Sequence, residues 1–476
     1  MKLFVINWGG KELGMIDAVR ELQKEHRIIY WTCPHLRRNV DRREFPNTIL
    51  HEREDALHGI PPTGFLLDVP PADPELLHAL SETESLVLTM MNKHFERMGV
   101  SERKSLYYYL VAYWDAVLRE HRPDAVIFPT IPHSVYDFIV YALAARAGIK
   151  TVMMEPIWIG DRVLIMKDYL TGPNYLFARK NASFGISQGA LAPDFAQEYA
   201  LQLRKGTDPT PVFVKNIKRR YSGLPLLAIK ARSLITSLIV HKDFSVLARL
   251  AGFPFKRLKQ NLRFEYERIA KPPDLSKPFV YLPFHYQPER NSSPQGGVFV
   301  DQLYLASILS ASLPEGWKIY VKEHPTQWLY RGTEFFSYRF RGYYEALSRI
   351  KGVEIVPVKT DTYALTANAR AVATITGTAG YEAMLRRKPV LAFGYPWYKG
   401  APGLFEVRDI SSCREAMRRI AAGVVFDEEA VLRYLQGLDA GTFHGYIDAD
   451  GQAVSSLSPL ENAHVLAREI SAILRK

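Results

Sequence analysis

Short apolar runs alternate with segments of helical period from the first residues onward. Leu3 to Asn7 reads as a strand, Lys11 to Glu25 as a helix and Arg27 to Thr32 as a second strand. The stretch from Asp73 to Glu120 turns helical. Asp124 to Pro129 (DAVIFP) then has the uninterrupted apolar character of a buried strand, Ser134 to Ala147 reads as a helix and Lys150 to Met154 as a further strand. A second helical stretch, about 193–270, ends in the proline-rich run Lys271 to Pro278, where the pattern places a domain boundary. Beyond it the alternation resumes. Strands are expected at Phe279 to Pro283, Trp317 to Lys322, Val353 to Pro357, Ala371 to Ile375 and Pro389 to Gly394, with helices at Asp301 to Ser312, Tyr343 to Arg349, Thr362 to Ala369 and Ala379 to Arg387. Strands separated by helices imply parallel sheets, so the chain divides into two doubly wound α/β domains. They span 1–271, with helical insertions at about 73–120 and 193–270, and 279–476. The closing helix, Glu461 to Lys476, is free to pack back across the first domain. Two such sheets in tandem leave a cleft at the carboxyl ends of their strands.

With 476 residues, 47% of them apolar, the chain can bury large cores. Two cysteines, Cys33 and Cys413, exclude a disulfide framework or a four-cysteine zinc site, and with the cytosol as the default compartment no resident metal is expected. The N-terminal apolar run is too short for a signal peptide, and no stretch of about 18 apolar residues can span a membrane. The net charge of +11 is uneven. Arg204 to Lys271 holds 16 basic and 4 acidic residues, and the rest of the chain is near neutral. Because the cations there alternate with Leu, Ile and Phe, the segment reads as an amphipathic surface for anionic lipid, which makes the protein peripheral at the inner membrane. Nucleic acid would want the same charge, but no nucleic-acid-binding motif accompanies it, and a solvated helical face has the same pattern.

Candidate chemistry clusters at strand ends. The run WKIYVK leads straight into Glu323-His324-Pro325, which puts an imidazole at the carboxyl end of a parallel strand beside the charge of Lys322. Thr376-Gly377-Thr378 lies between a strand and a helix, where hydroxyls and the first amides of the helix suit a phosphate; Glu382, one turn on, can accept from ribose hydroxyls. At the start of the second domain, the strand and loop from Tyr281 to Glu289, with His285, continue into a Ser- and Gly-containing stretch able to close on a donor nucleotide.

The His-Pro after a strand, the Thr-Gly-Thr turn and the run YEAMLRRKPVLAFG together resemble the bacterial capsule polysaccharide biosynthesis glycosyltransferases, including Kdo transferases, over roughly Phe279 to Gly403. That family is similar in its nucleotide domain to GT-B sialyltransferases. The resemblance implies a GT-B fold of two Rossmann-like domains facing a cleft. It also implies that His324-Pro325 and Thr376-Gly377-Thr378 hold the nucleotide of a CMP-activated ulosonic acid, such as Kdo or a nonulosonate, for transfer to a glycan or glycolipid acceptor with no cofactor beyond the donor. Where that family usually has glycine before Lys-Pro, this chain has Arg387. A uridine-diphosphate sugar transferase or 2-epimerase, and a non-catalytic scaffold on the membrane surface, are the alternatives.

Glycosyl transfer needs a group to deprotonate the acceptor, and some retaining enzymes need a carboxylate nucleophile. The first domain offers Asp137, one turn after His133 and therefore on the same helix face, and Glu155 at a strand end; a helix-start cap explains the His133 and Asp137 pair equally well. Asn7-Trp8-Gly9-Gly10 reads as a turn that lets a ligand approach the backbone. Asp448-Ala449-Asp450-Gly451 has the Asp-x-Asp look of a metal-binding transferase, but no strand precedes it, and we read it as a turn.

Overall fold

The structure is a computed structural model that describes residues 1–95, 98–172, 191–204, 262–328 and 339–475, with the single positions 231, 235 and 251. Two sheets organise them. In the first, β1 (Lys2–Val5), β2 (Arg27–Cys33), β3 (Ile49–Glu52), β4 (Ala125–Ile127) and β5 (Lys150–Pro156) run parallel in the order β3-β2-β1-β4-β5. Two antiparallel strands, β6 (Arg162–Met166) and β13 (Thr442–His444), extend it beyond β5. The second sheet contains β7 (Phe279–Pro283), β8 (Lys318–Lys322), β9 (Val353–Ile355), β10 (Ala371–Thr374), β11 (Val390–Ala392) and β12 (Leu404–Glu406). These are all parallel, in the order β12-β11-β10-β7-β8-β9. Both sheets are of the Rossmann kind, and each reverses its strand order once, between β1 and β4 in the first and between β7 and β10 in the second. Side chains beyond the carboxyl ends of those strands border a crevice.

The apolar runs form strands because helices cover both faces. In β2 every residue after Arg27 is buried. One core cluster packs the first sheet's helical insertion side and continues through Tyr281, Val372, Tyr381 and Trp397 of the second domain, so the two domains share apolar packing. On the other face of the first sheet, the helix Pro459–Arg475 lays Ala463, Leu466, Ala467, Ile470 and Leu474 against the helix Met15–Gln23. The approach is close. Gly14 has φ 73°, and a Cβ there would stand 1.9 Å from the Pro459 carbonyl oxygen. The C-terminal residues thus supply both an edge strand and a covering helix to the sheet that the N-terminus begins.

Some boundaries differ from those the pattern predicts. The 73–120 stretch resolves into helices Pro74–Ala79, Ser81–Met90 and Val100–His121. The helix expected from Ser134 starts at Tyr136, because Val135 adopts φ 65° and ψ −81°. Strands β3, β6, β12 and β13 form where the pattern predicts none. Lys271 to Pro278 is fixed to the second sheet, with the Lys271 amide donating to the Ile355 carbonyl and the Tyr320 hydroxyl bonding both the amide and the carbonyl of Asp274. Most of the basic segment Arg204 to Lys271 lies outside the described residues. Among the described residues no helix is long and apolar enough to cross a membrane.

Candidate functional site

At the second sheet's reversal point, His285 follows β7 and Thr374 ends β10. The His285 Nε2 accepts the Ile375 amide at 3.2 Å and lies 3.0 Å from Thr374 Oγ1, which in turn accepts the Gly377 amide at 3.1 Å. A ring nitrogen that accepts a main-chain N–H carries no proton, so the neutral imidazole has its hydrogen on Nδ1. Burial, then the charges of His324 and Arg339, push its pKa down to about 3. His285 is therefore a neutral brace under the turn. Thr376 Oγ1 donates to the Asn291 carbonyl at 2.7 Å, and the Tyr398 hydroxyl donates to the Gly377 carbonyl at 2.7 Å. Gly377 has to be small: a Cβ would lie 3.0 Å from His285 Cε1 and 3.1 Å from Thr374 Oγ1. A rigid turn thus presents the first amides of the helix Thr378–Leu385 to the crevice, a geometry that favours an anion.

His324 stands after β8, with its ring 6.1 Å from that of Tyr286. Its Nδ1 accepts from both the Thr326 amide and hydroxyl, at 3.3 and 2.7 Å, which assigns the neutral ring's proton to Nε2. Pro325 is exposed beside it. The two neighbours have structural roles. Lys322 Nζ donates to Thr360 O and Thr362 Oγ1 at 2.6 and 2.7 Å, tying the end of β8 to the start of the helix Thr362–Asn368. Glu323 forms a wholly buried ion pair with Arg339 at 2.8 Å, and also accepts the Tyr344 hydroxyl and the His324 amide. Arg339 in turn donates to Gln287 Oε1 and to the His285 carbonyl, so one buried charge pair links the His285 and His324 loops.

Glu382 turns toward Arg386 at 3.8 Å, and burial raises its carboxyl to about 7 against the pull of Arg386. Arg387, at the family's glycine position, has φ 57° just past the helix end, the left-handed geometry that glycine adopts without strain. The Asp448 stretch is a short helical turn, Ala449–Gln452, capped by Asp448 accepting from Gly451. Among the described residues no cluster of three or more His, Cys, Asp or Glu is placed to hold a metal.

The first domain's crevice carries the other candidates. Asp137 is buried, with Oδ1 accepting the Ser134 amide at 2.6 Å and Oδ2 accepting from Asn7 Nδ2 at 3.2 Å across the β1 and β4 reversal point. Burial raises its pKa while these donors and Arg53 oppose the rise. His133 donates from Nδ1 to the Ile131 carbonyl at 2.8 Å, leaving Nε2 as the ring's acceptor, so the two side chains bond different partners. Glu155 meets Arg290 of the second domain at 2.8 Å, while its Oε2 has no hydrogen-bond partner. The same guanidinium donates to Thr130. Arg290 carries no motif signal, because its partner Glu155 lies 135 positions away, and neither does Arg339, whose buried partner Glu323 reads as part of the His-Pro motif.

Burial raises the Glu155 carboxyl to about 7, with Arg290 opposing and Asp448 adding to the rise. A folded pKa above the unfolded one contributes stability that is complete below about 4.5 and is lost as pH rises through about 7. The unfolding free energy of wild type minus that of Glu155→Gln should therefore fall as pH climbs from 4.5 to 8, by up to ~1.4 kcal/mol per unit within the window. Urea melts at several pH values measure it. A difference independent of pH would mean that Arg290 keeps the carboxyl ionised throughout.

Comparison with known proteins places these residues in context. Residues 295–437, which include His324 and the Thr376 to Thr378 turn, match the family described as capsule polysaccharide biosynthesis protein, in agreement with the resemblance the motifs carry. No curated protein matches the chain. Among solved structures it is similar to the β-Kdo 2,7 transferase of Thermosulfurimonas dismutans KpsC, at 12% identity over 80% of this chain and 96% of that one, TM-score 0.30. The β-Kdo 2,4 transferase of the same protein matches at 11% identity over 72% and 87%, TM-score 0.30. A UDP-GlcNAc 2-epimerase from Neisseria meningitidis matches at 12% over the whole of both chains, TM-score 0.24.

Proposed function

From the family match over residues 295–437, we propose that this protein is a glycosyltransferase of surface polysaccharide synthesis, moving a sugar from a CMP-activated ulosonic acid to a glycan acceptor. The observation that supports it most is the braced Thr376-Gly377-Thr378 turn at the reversal point, with His324 at the neighbouring strand end, both inside the matched segment. In this reading the helix amides and Thr378 hold the departing phosphate, and the Nε2–H of His324 hydrogen-bonds or protonates it. The donor's anomeric C–O bond breaks, the nucleotide keeps that electron pair, and the acceptor oxygen bonds to the anomeric carbon as its proton passes to a first-domain base. Asp137 is the first choice for that base, with His133 and Glu155 as the other candidates in the same domain. The basic 204–271 segment keeps the enzyme on the inner membrane surface.

Titration calorimetry with CMP, CDP and UDP tests the nucleotide, with CMP expected to bind tightest. Asp137→Asn removes basicity and keeps shape, so transfer should collapse by roughly a hundredfold or more while CMP affinity stays within a few-fold. Wild-type transfer by Asp137→Asn together with a dead Glu155→Gln would move the role to Glu155 and leave Asp137 as the cap of its loop.

A further inference from the structure

Asn7 follows β1, half-buried at the reversal point of the first sheet, and its side-chain amide donates to Asp137 Oδ2 at 3.2 Å. Its backbone is fixed on both sides. The Ile6 amide donates to the Ile127 carbonyl at 2.9 Å and the Trp8 amide to the Thr32 carbonyl at 3.0 Å. The Asn7 amide itself donates to Thr32 Oγ1 at 2.6 Å, and that oxygen lies 3.0 Å from the Tyr136 hydroxyl. One buried hydroxyl thus anchors both Asn7 and the residue before Asp137, and the Tyr136 ring is stacked on Trp114 with centroids 5.7 Å apart.

Both chain segments that meet at this contact have uncommon backbone geometry. Asn7 has φ 57°, a left-handed conformation that asparagine tolerates better than most residues. Val135 has φ 65° and ψ −81°, a γ-turn closed by the Tyr136 amide donating to the Ser134 carbonyl at 2.8 Å. That hand of turn is rare and strained, the more so for a β-branched residue, and such strain persists only where the surroundings over-determine it. Together the two turns grip a carboxylate at both oxygens, Oδ1 by the Ser134 amide at 2.6 Å and Oδ2 by Asn7. Rotation about the Cβ–Cγ bond breaks both contacts. A helix cap needs only amides of its own first turn, whereas the Asn7 donor comes from 130 positions away.

We propose that Asn7 is a positioning residue for the acceptor-side base, fixing the orientation of the Asp137 carboxylate and keeping it the proton acceptor. The role rests on the reading of Asp137 as that base; the contact itself does not. The groups that face Asp137 are Arg53, from the helix Arg53–His58, and His133 and Tyr136 of its own loop and helix. Burial lowers the His133 pKa to about 3 and raises that of the Tyr136 phenol, so neither changes charge between about pH 4 and 9. A donor to a carboxylate favours the ionised form, so loss of the Asn7 amide should move the Asp137 titration to higher pH.

Glycine takes φ 57° without strain, so Asn7→Gly removes the side chain and leaves the turn, while Asn7→Asp keeps the shape and puts a second carboxylate where the donor was. In the full chain labelled with carbon-13 at aspartate Cγ, the signal missing from Asp137→Asn identifies Asp137, and NMR follows it against pH. Asn7→Gly should raise the midpoint by about one pH unit, a tenfold change in the protonation equilibrium and the order expected for a hydrogen bond to a charged group. Asn7→Asp should move it at least as far. The acid limb of the kcat/KM profile for transfer should shift with the midpoint, since the base must be ionised to act. A merely structural contact would lower stability and move neither. A midpoint unmoved in both variants overturns the proposal, and the base reading survives that result if Asp137→Asn is inactive. A moved midpoint with an unmoved acid limb overturns it as well, and wild-type transfer by Asp137→Asn then marks the base reading as what failed.

Discussion

Arg339→Met should destabilise the protein by about 3–5 kcal/mol, among the largest single-residue effects expected in this chain. Neither Arg339 nor Glu323 exposes any side-chain surface, and removing the guanidinium leaves a carboxylate in a dry interior with only the Tyr344 hydroxyl and the His324 amide as donors. The cost comes from the stranded charge more than from the lost attraction, so the double variant Glu323→Gln/Arg339→Met should recover a substantial part of it. Urea denaturation of the three variants measures both quantities. A single variant within 1 kcal/mol of wild type would mean that the carboxylate takes up a proton or gains water when the arginine goes. The pair also joins the His285 carbonyl to the His324 amide, so the single variant should raise the donor KM even under conditions where it remains folded.

The other large effect belongs to His324. If its Nε2–H assists the departing phosphate, His324→Ala should lower turnover by roughly a hundredfold or more while donor affinity changes much less. The structure adds a companion variant. Thr326 bonds Nδ1 through both its amide and its hydroxyl, so Thr326→Val removes the hydroxyl's bond to the ring while the amide's stays, and should cost far less than removing the imidazole. Steady-state transfer kinetics against a fixed acceptor decide it. Unchanged rate and donor affinity in His324→Ala would exclude the residue from the site.

How much of this could be read in the chain depends on how local the determining interactions are. Strands β1, β2, β4, β5 and β7 to β11 show as apolar runs because helices bury them on both sides, and the pattern records that burial. β3 and β13 are three or four residues long and half polar at sheet edges, so their pairing is set by neighbours rather than by their own sequence. β13 pairs with β6 across some 280 positions, which no local pattern encodes. The same division runs through the site. The turn at Gly377 and the imidazole at His324 follow from strand-to-loop geometry and are visible as motifs. Glu323 looks like part of the His-Pro motif yet is a buried structural charge, which becomes clear only when Arg339 is seen against it. Arg290 and Glu155 stand 135 positions apart and meet only when the domains close on each other.

The way the C-terminal helix completes the first domain bears on how the chain is made. Gln23 ends the helix that Pro459–Arg475 covers, and 436 positions separate Gln23 from Pro459. At translation rates of about 5–20 residues per second, roughly 20–90 seconds pass between the emergence of the two partners. Throughout that interval the cluster around Ile16, Val19 and Leu22 lacks the part supplied by Ala463, Leu466, Ala467, Ile470 and Leu474, whereas the second domain's sheet, β7 to β12, is synthesised as one continuous block. The order of maturation should therefore run against the order of synthesis, with the later domain folding as a unit and the earlier one waiting on a chaperone-sensitive apolar seam until the last helix docks.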